Sequence, residues 1–450
     1  MEQAERAYTG MGTRESTAGL NFTAVAVFTV SVFILSNDNS LRIASVSVST
    51  AVAFLMLAVF LVSGLKKGRF ILKGHDVQRP LFLLFFWAVF SLIIARLDPW
   101  KALPEAAYSY TWANGMNSPA WRGASFLLRL FLSVFAIEFI ISNVDTKEKV
   151  FRVVNITLAV YFLVCLFGLA QIILYFFFHI EAGSVLTEPH FRAGGYVGEP
   201  QTYGILLVSS LFLVIAAVNK RCEGIYFSRR FLKILLLMAI IDLVFTFSVS
   251  MFVSVLLALL FHSNEIRKRG LIIFSIAGGA AAYAFYSFLN SVLIAKLVSE
   301  TFTYNSRTLT WNIGAKMLGE NPIAGVGIGQ SPLLSGYFSE LINLSFDSLN
   351  FDAFRVTLLN SYIEWGAETG IVGLAVLLYL IYRCYMIGRA RTQSKEFKFV
   401  RLAYGGALLA LAVSANSYGG VFYVGCFNLV FAMYIAGTRV FSRAADAAAL

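Results

Sequence analysis

The chain has 450 residues, of which 58% are hydrophobic and only 14% are charged, and its mean hydropathy is +0.73. This composition excludes an ordinary soluble domain and is typical of a polytopic membrane protein. The net charge of +11 does not require nucleic acid as a partner, because the basic residues follow alternate apolar segments. The four cysteines lack metal or redox spacing and predict no disulfide framework.

Long apolar segments predict the fold. A bilayer core of about 30 Å needs roughly 20 apolar residues per helix. Twelve segments are interpreted as spans, at approximately 20–36, 43–64, 80–95, 123–142, 153–180, 203–218, 231–247, 249–263, 271–290, 361–386, 401–416 and 420–438. The region 231–263, interpreted here as the seventh and eighth spans, could also be divided differently. The first is expected to be an anchor, since no small-residue cleavage site marks a removable signal peptide.

Basic residues predict the orientation. They concentrate after every second span, at 66–79, 147–152, 220–230, 267–269 and 389–401. Because such residues favour the cytoplasm, this side is predicted to be cytoplasmic. The expected division is a cytoplasmic tail at 1–19, helices one to nine within 20–290, a long outer loop at 291–360, helices ten to twelve within 361–438, and a cytoplasmic tail at 439–450. Shorter outer loops lie at 96–122 and 181–202.

The outer loop at 291–360 contains a predicted amphipathic helix from Ser306 to Glu320. Leu309, Ile313 and Met317 recur every four residues on one face. Arg307 falls in the first turn, where a cation opposes the helix dipole at a cost of about 0.3–1 kcal/mol. An anionic ligand at that end would offset this cost. A solvated arginine with no ligand is the alternative.

Three glycines follow this helix, at Gly325, Gly327 and Gly329. They resemble a nucleotide-binding loop only superficially, because no strand precedes them and no acidic residue follows at the right distance. The pattern favours a turn that lets two backbones pack closely.

Charged residues inside the predicted spans mark paired or functional sites, because burying a charge in hydrocarbon is costly. Arg129 lies about two turns from the outer end of the fourth span. It is expected either to reach a lipid-linked phosphate or to form a structural ion pair. Glu138 lies near the inner end and is expected to extend towards water. Asp242 is the third such residue.

Four motifs together resemble one family. They are R-x-x-x-W from Arg307, GENPIAGVGIG at 319–329, NSYIEWGAETGIVG at 360–373, and HFRAGGYVGEPQTYG at 190–204. They are similar to the bacterial O-antigen ligase and Wzy-type O-antigen polymerase superfamily, most specifically from Arg307 to Gly373. One position departs from the ligase pattern: Leu359 stands where ligases carry a histidine.

The resemblance implies a GT-C-like membrane glycosyltransferase in the bacterial inner membrane, with its active site facing the periplasm. The implied donor is an oligosaccharide on undecaprenyl diphosphate, transferred to a sugar hydroxyl without a metal or another cofactor. Arg192 and Arg307 would clamp the diphosphate, since guanidinium groups bind phosphate oxygens bidentately. Arg192 could instead neutralise Glu188 or Glu199.

A proton acceptor is also required. Glu199 is the first candidate, Glu364 and Glu368 follow, and His190 is the last. Glu364 and Glu368 lie four residues apart on one helix face, and the alternative for both is a structural pairing role at the top of the tenth span. The substrate contacts implied as a set are Arg129, His190, Trp311, Asn360, Tyr362, Glu364 and Glu368.

Leu359 and the Glu199–Pro200 pair favour a polymerase of O-antigen, capsule or exopolysaccharide repeats. A ligase that transfers glycan to lipid A core is the first alternative, and a flippase or other transporter of lipid-linked saccharides is the second. Expected partners are the lipid-linked oligosaccharide, membrane lipid and a chain-length regulator protein, and no nucleic acid.

Overall fold

The computed structural model describes residues 19, 21–33, 42–43, 46–67, 75–97, 119–180, 185–187, 190–195, 199–220, 222–262, 307–341, 358–388, 394–417 and 425–449. Within these ranges the chain is mostly α-helical, and six helices are long and apolar enough to cross a membrane. The prediction of a helical membrane protein is confirmed at this level. The count of twelve spans stays a prediction. The ninth predicted span lies outside the described residues, and so does Ser306, the predicted first residue of the amphipathic helix.

The elements follow in chain order. The first half contains α1 Asn21–Phe33, β1 Arg42–Ile43, β2 Val46–Ser47, α2 Val48–Lys67, α3 Gln78–Leu97, α4 Pro119–Asn143, α5 Lys147–Phe178, β3 Val185–Thr187, β4 His190–Arg192 and α6 Pro200–Asn219. The second half contains α7 Arg229–Phe245, α8 Val249–Phe261, α9 at 307–320, α10 Ser331–Leu341, α11 Ser361–Gly388, α12 Lys395–Val400, a π-helical turn Arg401–Gly405, α13 Gly406–Ser414 and α14 Gly425–Ala449. The strands form two antiparallel pairs, β1 with β2 and β3 with β4.

Local capping explains where several helices begin and end. Thr146 caps α5, and its side chain accepts a hydrogen bond from the N–H of Lys149. Ser228 caps α7 in the same way through the N–H of Phe231. Phe247 has a positive φ of 50° in the turn between α7 and α8. The predicted division of this region into two helices is therefore confirmed.

Helix α6 lies at the centre of the bundle. In its most apolar stretch 83% of the residues are buried, against 28% in α3 and in α11. It packs against α5, α7, α13 and the π-helical turn. The outer helices instead expose large apolar side chains, among them Leu83, Phe86 and Leu378. A water-soluble protein would bury these side chains, so their exposure suits contact with lipid.

Two helix ends that carry basic residues lie at the same end of the bundle. Lys147 at the start of α5 pairs with Glu396 in α12 at 3.1 Å. Arg401 donates to the carbonyl of Gly388 at the end of α11 (3.3 Å). The first residues of α11 and the helix α9 that contacts them lie at the opposite end. Which end faces the cytoplasm stays a prediction.

Glu138 corrects one sequence-based expectation. It does not extend towards water but is buried, and its carboxylate contacts His75 Nε2 at 2.9 Å and Gln78 Nε2 at 3.3 Å. These two partners join the start of α3 to the end of α4. Burial of a carboxylate is tolerated when it is hydrogen-bonded and paired in this way.

Cysteine labelling tests the orientation. Ala315 on α9 and Tyr226 between α6 and α7 are both exposed, and they lie at opposite ends of the bundle. We expect Ala315→Cys to react with an impermeant maleimide in intact spheroplasts and Tyr226→Cys to react only after permeabilisation. The native background should be low because all four cysteines are buried. Burial raises the pKa of the Cys222 thiol to about 11, which suppresses the reactive thiolate. Labelling of both variants from the same side would contradict the topology.

Candidate functional site

Helix α11 is broken at Gly370, which has φ 71° and ψ −176°. This backbone region is essentially restricted to glycine. A Cβ at position 370 would lie 2.0 Å from the carbonyl oxygen of Ile323, so the space is also closed to any side chain. The helix therefore consists of a buried part at 361–369 and a longer part at 371–388. The sequence had suggested one continuous span.

The break leaves backbone carbonyls without helical partners, and the glycine loop, residues 321–330, supplies donors for them. The N–H of Val326 donates to the carbonyl of Ala367 (2.8 Å), and that of Gly327 donates to the carbonyl of Glu368 (2.9 Å). Non-helical backbone at membrane depth has to be satisfied by protein in this way. The glycine loop and α11 thus form one hydrogen-bonded unit.

Helix α3 completes the bonding around the break. Trp87 Nε1 donates to the carbonyl of Thr369 (2.8 Å), and Ser91 Oγ donates to that of Glu368 (2.7 Å). Both donors are side chains on one face of α3, four residues apart. The break is consequently fixed from two directions, which makes it a rigid feature of the fold.

The glycines of the loop permit this close approach. Gly325, Gly327 and Gly329 have φ values of 70°, 98° and 73°. A Cβ at Gly325 would lie 2.4 Å from the backbone carbon of Glu368. The interpretation of these glycines as a packing turn is confirmed.

Glu368 anchors the helix that follows the glycine loop. Its carboxylate accepts hydrogen bonds from the Oγ (2.7 Å) and the N–H (3.3 Å) of Ser331, the first residue of α10. A helix N-terminus stabilises an anion there. Because Glu368 is buried and engaged, the structural alternative raised for it fits the geometry better than contact with a soluble sugar.

Arg122 belongs to the same cluster and was missed from the sequence. Its Nε donates to the carbonyl of Gly329 (2.8 Å). The carboxylates of Glu364 and Glu368 are close enough to attract its charge. The sequence places Arg122 at the end of an outer loop, and no local pattern indicates that it joins α4 to a loop 207 residues away.

Helix α9, which carries Arg307, packs onto this unit. Its apolar face joins a core with α10 and the first part of α11; the members from α9 are Leu309, Ile313 and Met317. The predicted amphipathic helix is confirmed. Arg307 is the first described residue of the helix, and Trp311 follows one turn later on the same face. Trp311 Nε1 is buried and has no hydrogen-bond partner among the described residues.

Asn360 and Tyr362 form hydrogen bonds at the start of α11. The Oδ1 of Asn360 accepts hydrogen bonds from the N–H groups of Tyr362 (3.0 Å) and Ile363 (3.1 Å). The hydroxyl of Tyr362 donates to the carbonyl of Ala412 (2.7 Å). Both side chains therefore position the helix. Their contact with substrate, and that of the buried Glu364, stays a prediction.

The segment with Arg192 forms a second group against α7. Arg192 Nε donates to the carbonyl of Thr246 (3.1 Å), and the N–H of Ala193 donates to that of Phe245 (2.8 Å). His190 lies in β4, and its side chain is outside the described part of the protein. The predicted pairing of Arg192 with Arg307 across the two groups stays a prediction.

Glu199 immediately precedes α6, with Pro200 as the first helical residue. Its side chain is exposed and does not cap the helix, and it accepts a hydrogen bond from the hydroxyl of Thr202. An exposed carboxylate in this place is chemically able to accept a proton from a bound hydroxyl.

Asp242 is connected through Tyr203 to the segment that carries Arg192. It is buried and accepts a hydrogen bond from the hydroxyl of Tyr203 (2.9 Å). The ring of Tyr203 in turn packs against Gly195, where a Cβ would lie only 2.4 Å away. This intramembrane acid is thus linked by contact to the segment that carries Arg192.

An apolar cavity of about 310 Å³ runs along α11. Its walls come from α3, α4, α8, α11, α13 and α14, and it extends from Trp365 near the break to Arg401 at the basic end. Its size and lining suit a hydrocarbon chain.

Comparison with known proteins adds no assignment. No model of a known protein family matches the chain, and no curated protein matches it.

Two glycine substitutions in α11 test the break. Gly370→Ala should destabilise the protein by at least about 1–3 kcal/mol, because alanine at this φ and ψ is strained and its Cβ meets the Ile323 carbonyl. Gly366→Ala is the matched control, since its nearest neighbours would be at ordinary contact distances of 3.5 and 3.6 Å. Thermal unfolding in detergent measures both. Equal melting temperatures for the two variants would argue against a glycine-dependent break.

Proposed function

We propose that this protein is a polymerase of lipid-linked polysaccharide repeat units. It would transfer a glycan from undecaprenyl diphosphate to a sugar hydroxyl on the periplasmic face of the inner membrane. The products would be O-antigen, capsule or exopolysaccharide. The sequence resemblance to the O-antigen ligase and polymerase superfamily is the origin of this proposal.

One structural observation carries the proposal furthest. The motifs from Arg307 to Gly373 converge in space: α9, the glycine loop, α10 and the start of α11 pack into one unit at the end of the bundle opposite the basic residues. A site at one end of a bundle of candidate membrane helices suits a reaction between a lipid-anchored donor and a sugar acceptor.

The proposed chemistry assigns charge stabilisation to arginine. As the bond from the sugar to the diphosphate breaks, negative charge develops on the departing oxygen, and Arg307 and Arg192 would stabilise it. Trp311 would contribute its indole N–H as a further donor one turn from Arg307. The apolar cavity along α11 offers room for a hydrocarbon chain of the donor.

Glu199 is the proposed proton acceptor. Its exposed carboxylate would take the proton of the acceptor hydroxyl as the new glycosidic bond forms. The ligase histidine cannot act here, because Leu359 occupies that position and an aliphatic side chain has no lone pair. Leu359 and the Glu199–Pro200 pair together are the reason for preferring a polymerase to a ligase.

Elongation assays with purified protein test the arginine. In proteoliposomes containing a lipid-linked repeat unit and no ion gradient, Arg307→Ala should lower the elongation rate about 10²–10³-fold, because charge on the leaving group is no longer stabilised. Lys316→Ala removes a cation from the same helix, one that is exposed and paired with Glu320, and should keep near wild-type activity. Wild-type elongation by Arg307→Ala would refute the site, and glycan translocation without elongation would indicate a transporter.

A deletion strain separates polymerase from ligase. Loss of a polymerase should leave single repeat units on the lipid carrier or on lipid A core, with ligation intact. Mass spectrometry of extracted glycolipids and lipopolysaccharide measures both pools. Long polymers that accumulate on the carrier and never reach the core would identify a ligase instead.

A further inference from the structure

The outward face of α4 carries a cation in an apolar setting. Trp121, Leu128 and Phe131 are all exposed there, and Arg129 is exposed among them. The helix is one of the six candidate membrane spans. Arg129 is nine residues from Ala120, or about 13 Å along the helix axis. A charge at this depth is costly unless its long side chain reaches a polar group near the headgroups.

Arg129 and Arg122 both lie close to the aromatic ring of Phe126. The guanidinium carbons of Arg122 and Arg129 each lie 5.6 Å from the centre of the Phe126 ring. Both are within the range of cation–π attraction. The two cations are therefore at most about 11 Å apart, on one stripe of α4.

The two arginines differ in their counter-charges. Arg122 is attracted by Glu364 and Glu368 and donates to Gly329. Arg129 forms no salt bridge with an acidic residue in the part of the chain that the structure describes. Arg129 is thus the member of the pair whose charge an external anion would balance.

We propose that Arg129, supported by Arg122 and Phe126, binds the phosphate of a membrane lipid. A guanidinium group binds phosphate oxygens bidentately, which suits this headgroup chemistry. The exposed apolar side chains around Arg129 contact the hydrocarbon chains of the same lipid. They favour a lipid phosphate over a free one.

Two lipids carry this chemistry: a phospholipid and a polyprenyl diphosphate. The diphosphate is the more informative occupant, because Arg122 bridges the site to the glycine loop on which α9 rests. A donor held at Arg129 would then lie beside the candidate site before it reacts. That identification of the lipid rests on the proposed function, whereas the phosphate site itself does not.

Native mass spectrometry of the full-length protein tests the site by binding alone. The protein is released from micelles that contain phosphatidylcholine, phosphatidylglycerol and geranylgeranyl diphosphate, and the retained lipids are counted. Arg129→Gln should weaken retention of the phosphate-bearing anionic lipids about tenfold, and Arg129→Lys should retain part of it. Arg152→Gln is the matched control, because Arg152 is an exposed arginine at the start of α5, at the other end of the bundle.

The outcomes separate the two sources. Preferential retention of geranylgeranyl diphosphate, lost in Arg129→Gln and kept in Arg152→Gln, supports a donor site. Equal retention of both anionic lipids with the same dependence on Arg129 supports a phospholipid site. Unchanged retention in Arg129→Gln, or equal losses in Arg129→Gln and Arg152→Gln, overturns the proposal. Because no turnover is measured, a protein that failed every elongation assay would still give a clear result.

Discussion

The arrangement of the candidate site depends on one constraint: an interrupted helix beside a membrane has to find partners for its backbone. The break at Gly370 exposes carbonyls that neither lipid nor a continuous helix can satisfy. The glycine loop and two side chains of α3 provide the donors. Everything carried by that loop, including α9 before it and α10 after it, is held in place as a consequence.

Charged side chains reinforce the contacts around the break and the glycine loop. Glu368 lies two residues before the break, and its carboxylate holds the start of α10, while Arg122 holds the end of the glycine loop from α4. Both contacts lie within the protein and hold the glycine loop and α10 against α4 and α11. This end of the bundle is therefore ordered by polar contacts, and the middle of the bundle by apolar packing.

Local patterns in the sequence predicted local structure well. The four-residue spacing from Leu309 to Met317 predicted α9, and the three glycines predicted a packing turn, because both follow from neighbouring residues. The break at Gly370 was missed, since Gly366, Gly370 and Gly373 are all compatible with a continuous helix and nothing local marks Gly370 among them. The contacts of Arg122 and of Glu138 were missed for another reason: their partners, Gly329 and His75, are distant in the chain. Long-range pairing leaves no trace in periodicity or composition.

The central position of α6 has a consequence for biogenesis. Its apolar sequence is that of a lipid-exposed helix, yet most of its surface is covered by protein in the folded state. In a chain that inserts during synthesis, α6 would enter the bilayer before α7 and α13 exist to surround it, and its hydrophobicity would be needed at that stage. The helices made later would then replace the lipid around it. The order of synthesis, and not the final environment alone, sets what residues this helix tolerates.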